Sequence, residues 1–402
     1  MSVPENLRPT YSKKTLRAMQ AERAVKRITF SCTEAKPSNT LYVSVPKLNV
    51  DEVLVPGSLA LVFNIDLSGG HANNFLVQNV TRALIDRLHV KFGGSTLEDT
   101  VGYSVYKIFD DLFLSQEKRD GMFLEGIQSE DLCKIRSGAG DKKTLGVDAE
   151  NKLNEVYGSK YWIRLDHQIV TDHSVFYPQA LYNDLVFEVT LAGAEHVVIG
   201  TDATQLKYKL TNIQLEYEMI RSKTLVDEAY SVYSSTKEFA YDQVMRSKVM
   251  VFKKGTNTRL NIKVDAHKRS LKALLLLFIE PYTDGGRESE KYIFPDLTKV
   301  SIMINGSPNM IYNNGVEGKD MWEEAQRFFV KEKNKTKHMN ATKFYTGDNF
   351  GLLMDTRSMA DQEMHGSGKR LVNSTDGVQL DIKRKVEGSG NVNCHIFVIA
   401  DS

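Results

Sequence analysis

The chain has 402 residues, 41% hydrophobic and 26% charged, with a formal net charge of +1. That length usually holds two or three domains, and the composition is globular, which excludes a disordered or fibrous chain. Three cysteines, Cys32, Cys133 and Cys394, are odd in number and far apart, which argues against a disulfide framework or zinc site and for folding in a reducing compartment.

Residues 1–27 carry Arg8, Lys13, Lys14, Arg17, Arg23, Lys26 and Arg27 against Glu5 and Glu22, a net +5, so the remaining chain is −4. Ser12 is placed to cap a short helix running to Arg27, with Leu16, Met19 and Val25 as a thin apolar stripe. Such a basic arm can touch nucleic acid, an acidic protein surface or an anionic membrane, and a solvated terminus fits equally well. The N-terminus has no apolar stretch of the secretory kind. The Asn-x-Ser/Thr sequons at Asn79, Asn305, Asn334, Asn340 and Asn373 are therefore expected to be coincidental.

From Ile28 onward the dominant signal is strand. Runs are expected at 28–30, 41–45, 59–65 and 83–92, followed by a helix over about 100–114. A long polar stretch, about Ser115 to Ser159, holds Gly121, Gly126, Gly138, Gly140, Gly146 and Gly158. It reads as an exposed, surface-contacting loop. Strands resume at 161–165, 185–191, 196–199 and 206–220, and a polar connector spans about 221–236. The second half carries strands at 244–252, 258–264, 271–279, 299–304, 350–354, 378–383 and 392–400, with one helix over about 319–332. Its longest apolar run, Ala273–Ile279, has the length of a buried strand, far short of a membrane span. Many short strands with few helices point to sandwiches or barrels.

Little of the sequence suggests chemistry. Gly366-Ser367-Gly368-Lys369 resembles part of a phosphate loop, but Glu363 stands where the first Gly belongs and Arg370 where a magnesium-holding hydroxyl belongs. Asp166-His167 and Asp172-His173 form the densest His/Asp cluster, and the histidine spacing does not suit one helix face. No Gly-x-Ser-x-Gly elbow occurs. The run Lys331–His338 reads as a solvated helix end or as a basic surface facing DNA. Trp162 and Trp322 read as core or interface anchors, and Phe92 and Phe329 as core residues of the two halves.

The halves echo each other. Leu88–Ser95 and Val300–Ser307 are alternating strands that stop at a Gly-Ser turn. Each is followed by a helical stretch rich in aromatic and acidic residues: Tyr103, Tyr106, Phe109, Asp110, Asp111 and Phe113 in the first, Trp322, Glu323, Glu324, Phe328 and Phe329 in the second. Recurrence at half the chain length reads as domain duplication, with chance similarity as the competing reading. The expected fold is mainly β: two eight-stranded antiparallel sandwiches in tandem, each with a short helix in a crossover loop. The boundaries are a basic arm at 1–27, a first sandwich at 28–225 and a second at 226–402.

The strand Thr298–Ile304 with its Asn305-Gly306-Ser307 turn resembles double jelly-roll major capsid proteins. So do the run Phe350–Ser358, the segment His365–Arg370 and the closing strand Cys394–Ile399. Those of Polinton/Maverick elements and adintovirus-like DNA viruses are the nearest in kind. The resemblance implies a structural subunit that forms pseudo-hexameric homotrimers and then an icosahedral shell around double-stranded DNA, with penton and minor capsid proteins as partners. It implies location in the virion and no catalytic residues, cofactor or small-molecule substrate, while the charge contrast between arm and body points to a basic arm on the inner surface. A β-sandwich carbohydrate-binding protein is the alternative that the fold leaves open.

Overall fold

The computed structural model describes residues 21–68, 74–137, 160–171, 175–200, 207–235, 241–252, 259–266, 270–281, 286–308, 315–329, 338–357, 368–371, 377–385 and 391–401. In the first half the main strands are β1 (Glu22–Thr29), β2 (Thr40–Ser44), β3 (Ala60–Ser68), β4 (Ile85–Phe92), β5 (Ser95–Val101), β6 (Lys160–Arg164), β7 (Leu185–Leu191) and β8 (Lys207–Arg221). They form two antiparallel sheets, ordered β1-β8-β3-β6 and β2-β7-β4-β5. The second half repeats the set as β9 (Asp242–Phe252), β10 (Arg259–Val264), β11 (Ser270–Ile279), β12 (Leu297–Ile304), β13 (Ser307–Pro308), β14 (Gly351–Asp355), β15 (Val378–Arg384) and β16 (Val392–Asp401). Its sheets run β9-β16-β11-β14 and β10-β15-β12-β13, the same order advanced by eight. Each half is therefore a jelly roll of two facing four-stranded sheets, with short extra strands beside them.

The sequence echo marks topologically equivalent elements. Leu88–Phe92 lies in β4 and Val300–Ile304 in β12, the third strand of the second sheet in each roll. Both end in two-residue hairpins. Asn305 and Gly306 have φ of 54 and 75°, the left-handed pair that a type I′ turn demands and that Asn-Gly supplies at least cost.

Helices fill the crossover after the fourth strand of each second sheet. In the first roll α1 (Val80–Ala83) precedes β4, and α2 (Tyr103–Leu112), α3 (Gln116–Asp120) and α4 (Glu130–Arg136) follow β5. After the linking helix α5 (Lys223–Ser235), the second roll has α6 (Met321–Phe329) and α7 (Ala341–Thr346). On α6 the buried Met321, Ala325 and Phe329 recur every fourth residue, giving one apolar stripe.

The two rolls share a continuous apolar core rather than touching as separate domains. Phe109 of α2 is fully buried, and its ring lies 5.5 Å from Phe329, 5.4 Å from Phe113 and 5.3 Å from Tyr292. Phe113 stacks on Phe329 at 4.9 Å, and Tyr106 meets Phe397 of β16 at 5.8 Å. Gly351 at the start of β14 is required by this contact, because a Cβ there would stand 2.3 Å from the Phe109 ring. Behind it, Leu271 and Ala273–Ile279 of β11 are fully buried, since one sheet face meets the second roll's interior and the other lies toward the first roll.

Several expectations are corrected. The helix expected to run to Arg27 is, over Glu22–Arg27, strand β1, paired along its whole length with β8. The first roll accordingly begins at Glu22, inside the segment read as an arm. The connector at 221–236 contains α5, so the expected boundary at 225/226 falls within a helix whose Val226 and Ala229 pack with Val53 and Tyr177. Residues 115–137 are not an exposed loop. Ser115 and Ser129 cap α3 and α4 by accepting the Lys118 and Leu132 N–H groups, and Leu132, Cys133, Ile135 and Arg136 are buried. Gly138–Lys143, and the rest of the stretch to 159, lie outside the described residues. Ala83, His196 and Val197, read as strand beginnings, belong to the helical turns Val80–Ala83 and Ala194–Val197. Phe329 is core, but Phe92 is only half-buried at the end of β4, edge-on to exposed Tyr182 at 5.2 Å.

Candidate assembly surfaces

Among the described residues β1 is the outer strand of its sheet, with no strand paired to its other side. Its basic side chains face acids on neighbouring strands. The Arg23 guanidinium donates to both Glu218 oxygens at 2.9 and 2.6 Å, and Arg27 Nε donates to Glu216 at 2.6 Å. Arg27 sits directly opposite Glu216 in the ladder, and such cross-strand pairs help select register. In both pairs the guanidinium is largely exposed, so the pairs add little to stability. The third pair is deeper: Lys26 Nζ reaches Glu52 Oε2 at 3.4 Å, and the Glu52 side chain is fully buried. Burial pushes the Glu52 carboxyl up, but hydrogen bonds from the Asn49 side chain and backbone and from Arg221, with the Lys26 charge, hold it down at about 2.

Of the seven basic residues singled out in the sequence, Arg23, Lys26 and Arg27 are thus engaged inside the first roll. Arg8, Lys13, Lys14 and Arg17 lie outside the described residues. β1 also exposes Val25 (53%) and Ile28 (46%), and the equivalent strand β9 exposes Val249 (43%) and Val251 (54%). β9 too is the outer strand of its sheet. Among the described residues β1 thus has an unpaired edge carrying two exposed β-branched side chains, whereas β9 exposes two more near its far end, its start lying against β5 of the first roll.

The remaining candidates resolve into structure. Asp166 bonds the buried Arg82 at 3.3 Å, and His167 is buried beside Glu98, while Asp172 and His173 lie outside the described residues. Among the described residues no group of His, Cys, Asp and Glu is arranged to hold a metal ion. Lys369 lies in a two-residue strand paired with β11, so the Gly366–Lys369 segment leads into a strand, not into the helix a phosphate loop needs. Lys331–Lys337 lie outside the described residues, and His338 bonds Gln116 of α3 at 2.9 Å. Trp162 is half-buried on β6 under the Arg164 guanidinium, and Trp322 stacks on Phe113 at 6.2 Å within the seam between rolls. No helix among the described residues is long and apolar enough to cross a membrane.

Polar contacts across the seam escaped the sequence reading. Tyr241 Oη and Gln243 Nε2 donate to the Leu97 carbonyl at 3.0 and 2.8 Å, and Thr100 Oγ1 donates to the Val244 carbonyl at 2.6 Å. Tyr292 Oη donates to Val105 O at 2.8 Å, and Arg119 pairs with Glu290 at 2.7 Å. The first three link the β5 edge to β9 through side chains. Tyr241 and Gln243 flank the charged Asp242, and nothing local announces that their acceptor lies in the other half.

No protein-family model and no curated protein matches the chain. Solved structures do. The PBCV-1 virus capsid model is similar over 97% of this chain and 96% of its own, with TM-score 0.61 and 11% identity. The Faustovirus major capsid protein is similar over 96% and 90%, with TM-score 0.63 and 8% identity. Both rolls are spanned by these alignments. The chain has the double jelly-roll fold of viral major capsid proteins. The mavirus major capsid protein shares this double jelly roll over 99% of this chain and 92% of its own, with TM-score 0.51 and 10% identity. At such low identity the double jelly roll is kept by topology and burial pattern, not by shared side chains.

Proposed function

We propose that this chain is a major capsid protein, a self-assembling structural subunit of an icosahedral virion. The observation that carries the reading is the repeated strand order. Two rolls with one topology are fused side by side through α2 and α6, and the similarity to capsid proteins runs through both rolls. Three copies would place six similar rolls around a threefold axis, so that one trimer fills a sixfold lattice position. Closed cyclic association is the usual outcome of complementary, non-identical surfaces. The β1 edge, with Val25 and Ile28 exposed, and the far end of β9, with Val249 and Val251 exposed, are the surfaces that such contacts would cover.

The finer assignments rest on the same basis. The homotrimer is expected to bury more than about 2,000 Å², as permanent interfaces do. Arg8, Lys13, Lys14 and Arg17 are assigned to the inner surface, facing packaged double-stranded DNA or neighbouring subunits. Penton and minor capsid proteins are the further partners, and synthesis in a reducing host compartment suits the free thiols of Cys32, Cys133 and Cys394. Light scattering on the purified protein tests this: a stable trimer at micromolar concentration and neutral pH supports the reading, and a monodisperse monomer overturns it.

A further inference from the structure

Among the described residues, the seam between β5 and β9 holds a buried carboxyl group that forms no ion pair with a lysine or arginine. Glu98 of β5 is 9% exposed. Its Oε1 lies 2.8 Å from Thr100 Oγ1, and that same Oγ1 lies 2.6 Å from the Val244 carbonyl oxygen on β9. A threonine hydroxyl has one proton. If that proton serves Val244, the oxygen of Glu98 facing Oγ1 must itself be a donor, which only the protonated acid can be.

The other carboxyl oxygen, Oε2, faces His167 Nε2 at 3.4 Å. His167 Nδ1 accepts the Ile169 N–H at 3.2 Å, so that nitrogen carries no proton and the ring is neutral rather than an imidazolium. Among the described residues the surrounding charges are committed elsewhere. On α2, Lys107 bonds Asp110 at 2.6 Å, and burial keeps the Tyr103 and Tyr106 phenols protonated. Arg82 is paired with Asp111 and Asp166, and Asp99 on the same strand as Glu98 is held by Arg87. From the second roll, Tyr241 and Gln243 donate to Leu97 O, and Asp242 pairs with Lys272.

We propose that Glu98 is a protonated latch between the two jelly rolls: as the acid it donates to Thr100, which donates in turn to Val244, and ionisation turns Thr100 back to the carboxylate and releases β9. The proton goes to solvent, and the bond lost is the Thr100–Val244 link across the seam. Burial raises the Glu98 carboxyl to about 7, against the lowering effects of the Thr100 hydroxyl and Lys107. Burial likewise pushes His167 down to about 4, in keeping with a neutral ring. The sign follows. A carboxyl whose folded pKa is raised stabilises fully below its unfolded value of 4.5, and that contribution is lost as pH rises towards about 7. The latch therefore loosens as pH rises to neutrality, whether or not the subunit assembles.

The test compares the full-length protein with Glu98→Gln, whose amide keeps the donor to Thr100 but cannot titrate. Melting temperatures are followed from about pH 4.5 to about pH 8 at one protein concentration. Histidines titrating in this range are common to both proteins and cancel in the difference. The wild-type melting temperature is expected to fall relative to Glu98→Gln by a few degrees up to about pH 7 and then run parallel to it. Infrared spectra of the wild type alone guard against a variant that fails to fold. They should show a protonated-carboxyl C=O stretch at about pH 6 that is lost by about pH 8.5. Parallel melting curves throughout, or no such band at about pH 6, overturn the proposal.

Discussion

Replacing Phe109 with alanine removes the ring on which the seam between rolls closes. Phe109 is fully buried and touches Phe113 of its own roll and Tyr292 and Phe329 of the other, with its edge over Gly351. Truncating such a phenylalanine costs about 3–5 kcal/mol through lost transfer energy and the cavity left behind. The upper end is expected, because β11 and β14 behind it form a rigid sheet with little freedom to collapse. Phe92→Ala is the internal control. Its ring is half-buried at a strand end against exposed Tyr182, so its loss should cost no more than about 1.5 kcal/mol. Denaturant unfolding at matched protein concentration measures both, the matching being needed because subunit association shifts apparent stability. A double-mutant cycle between Phe109 and Phe329 should return about 0.5–1.5 kcal/mol of coupling. Equal costs for Phe109→Ala and Phe92→Ala, with no coupling, would refute the account of a shared core.

Gly351→Ala should destabilise by about 1–3 kcal/mol, because its Cβ would meet the Phe109 ring, and Phe109→Leu should recover part of that loss in thermal melts. Removal of residues 1–21 should leave a folded, soluble chain, whereas removal of 1–27 takes most of β1 from β8 and should lower the melting temperature sharply. Ser129→Ala should cost about 1 kcal/mol by uncapping α4. Burial lowers His167 and His338 to about 4 and His395 to about 3, so each stays neutral in the fold where it would charge in the unfolded chain. Their contribution is full above about 6.5 and is lost as pH falls towards 4, which acid titration of circular dichroism will follow.

The strands were legible wherever one face is buried. β7 alternates buried and half-buried residues along its whole length, and β8 alternates over most of its own, which is the period-2 pattern read in the sequence. β11 was legible for the opposite reason, as an unbroken apolar run. β1 was not, because an exposed edge strand with Arg23, Lys26 and Arg27 has the composition of a solvated helix. Its partners Glu216 and Glu218 are about 190 residues away in the chain. The helices α3 and α4 had a local signal, serine caps followed by Glu117, Glu130 and Asp131 in the first turn, which the surrounding polar residues obscured. The aromatic residues of α2 and α6 were visible, but that they face each other follows only from how two rolls pack. Phe92 misled because alternation marks a strand face without saying where along the strand the core ends.

Negative-stain imaging of the purified full-length protein tests the central claim most directly. The account predicts particles of three 45.4 kDa chains, about 136 kDa, with a pseudo-hexagonal outline of six roll-sized densities around a threefold axis. A field of single two-lobed particles at micromolar concentration would contradict it.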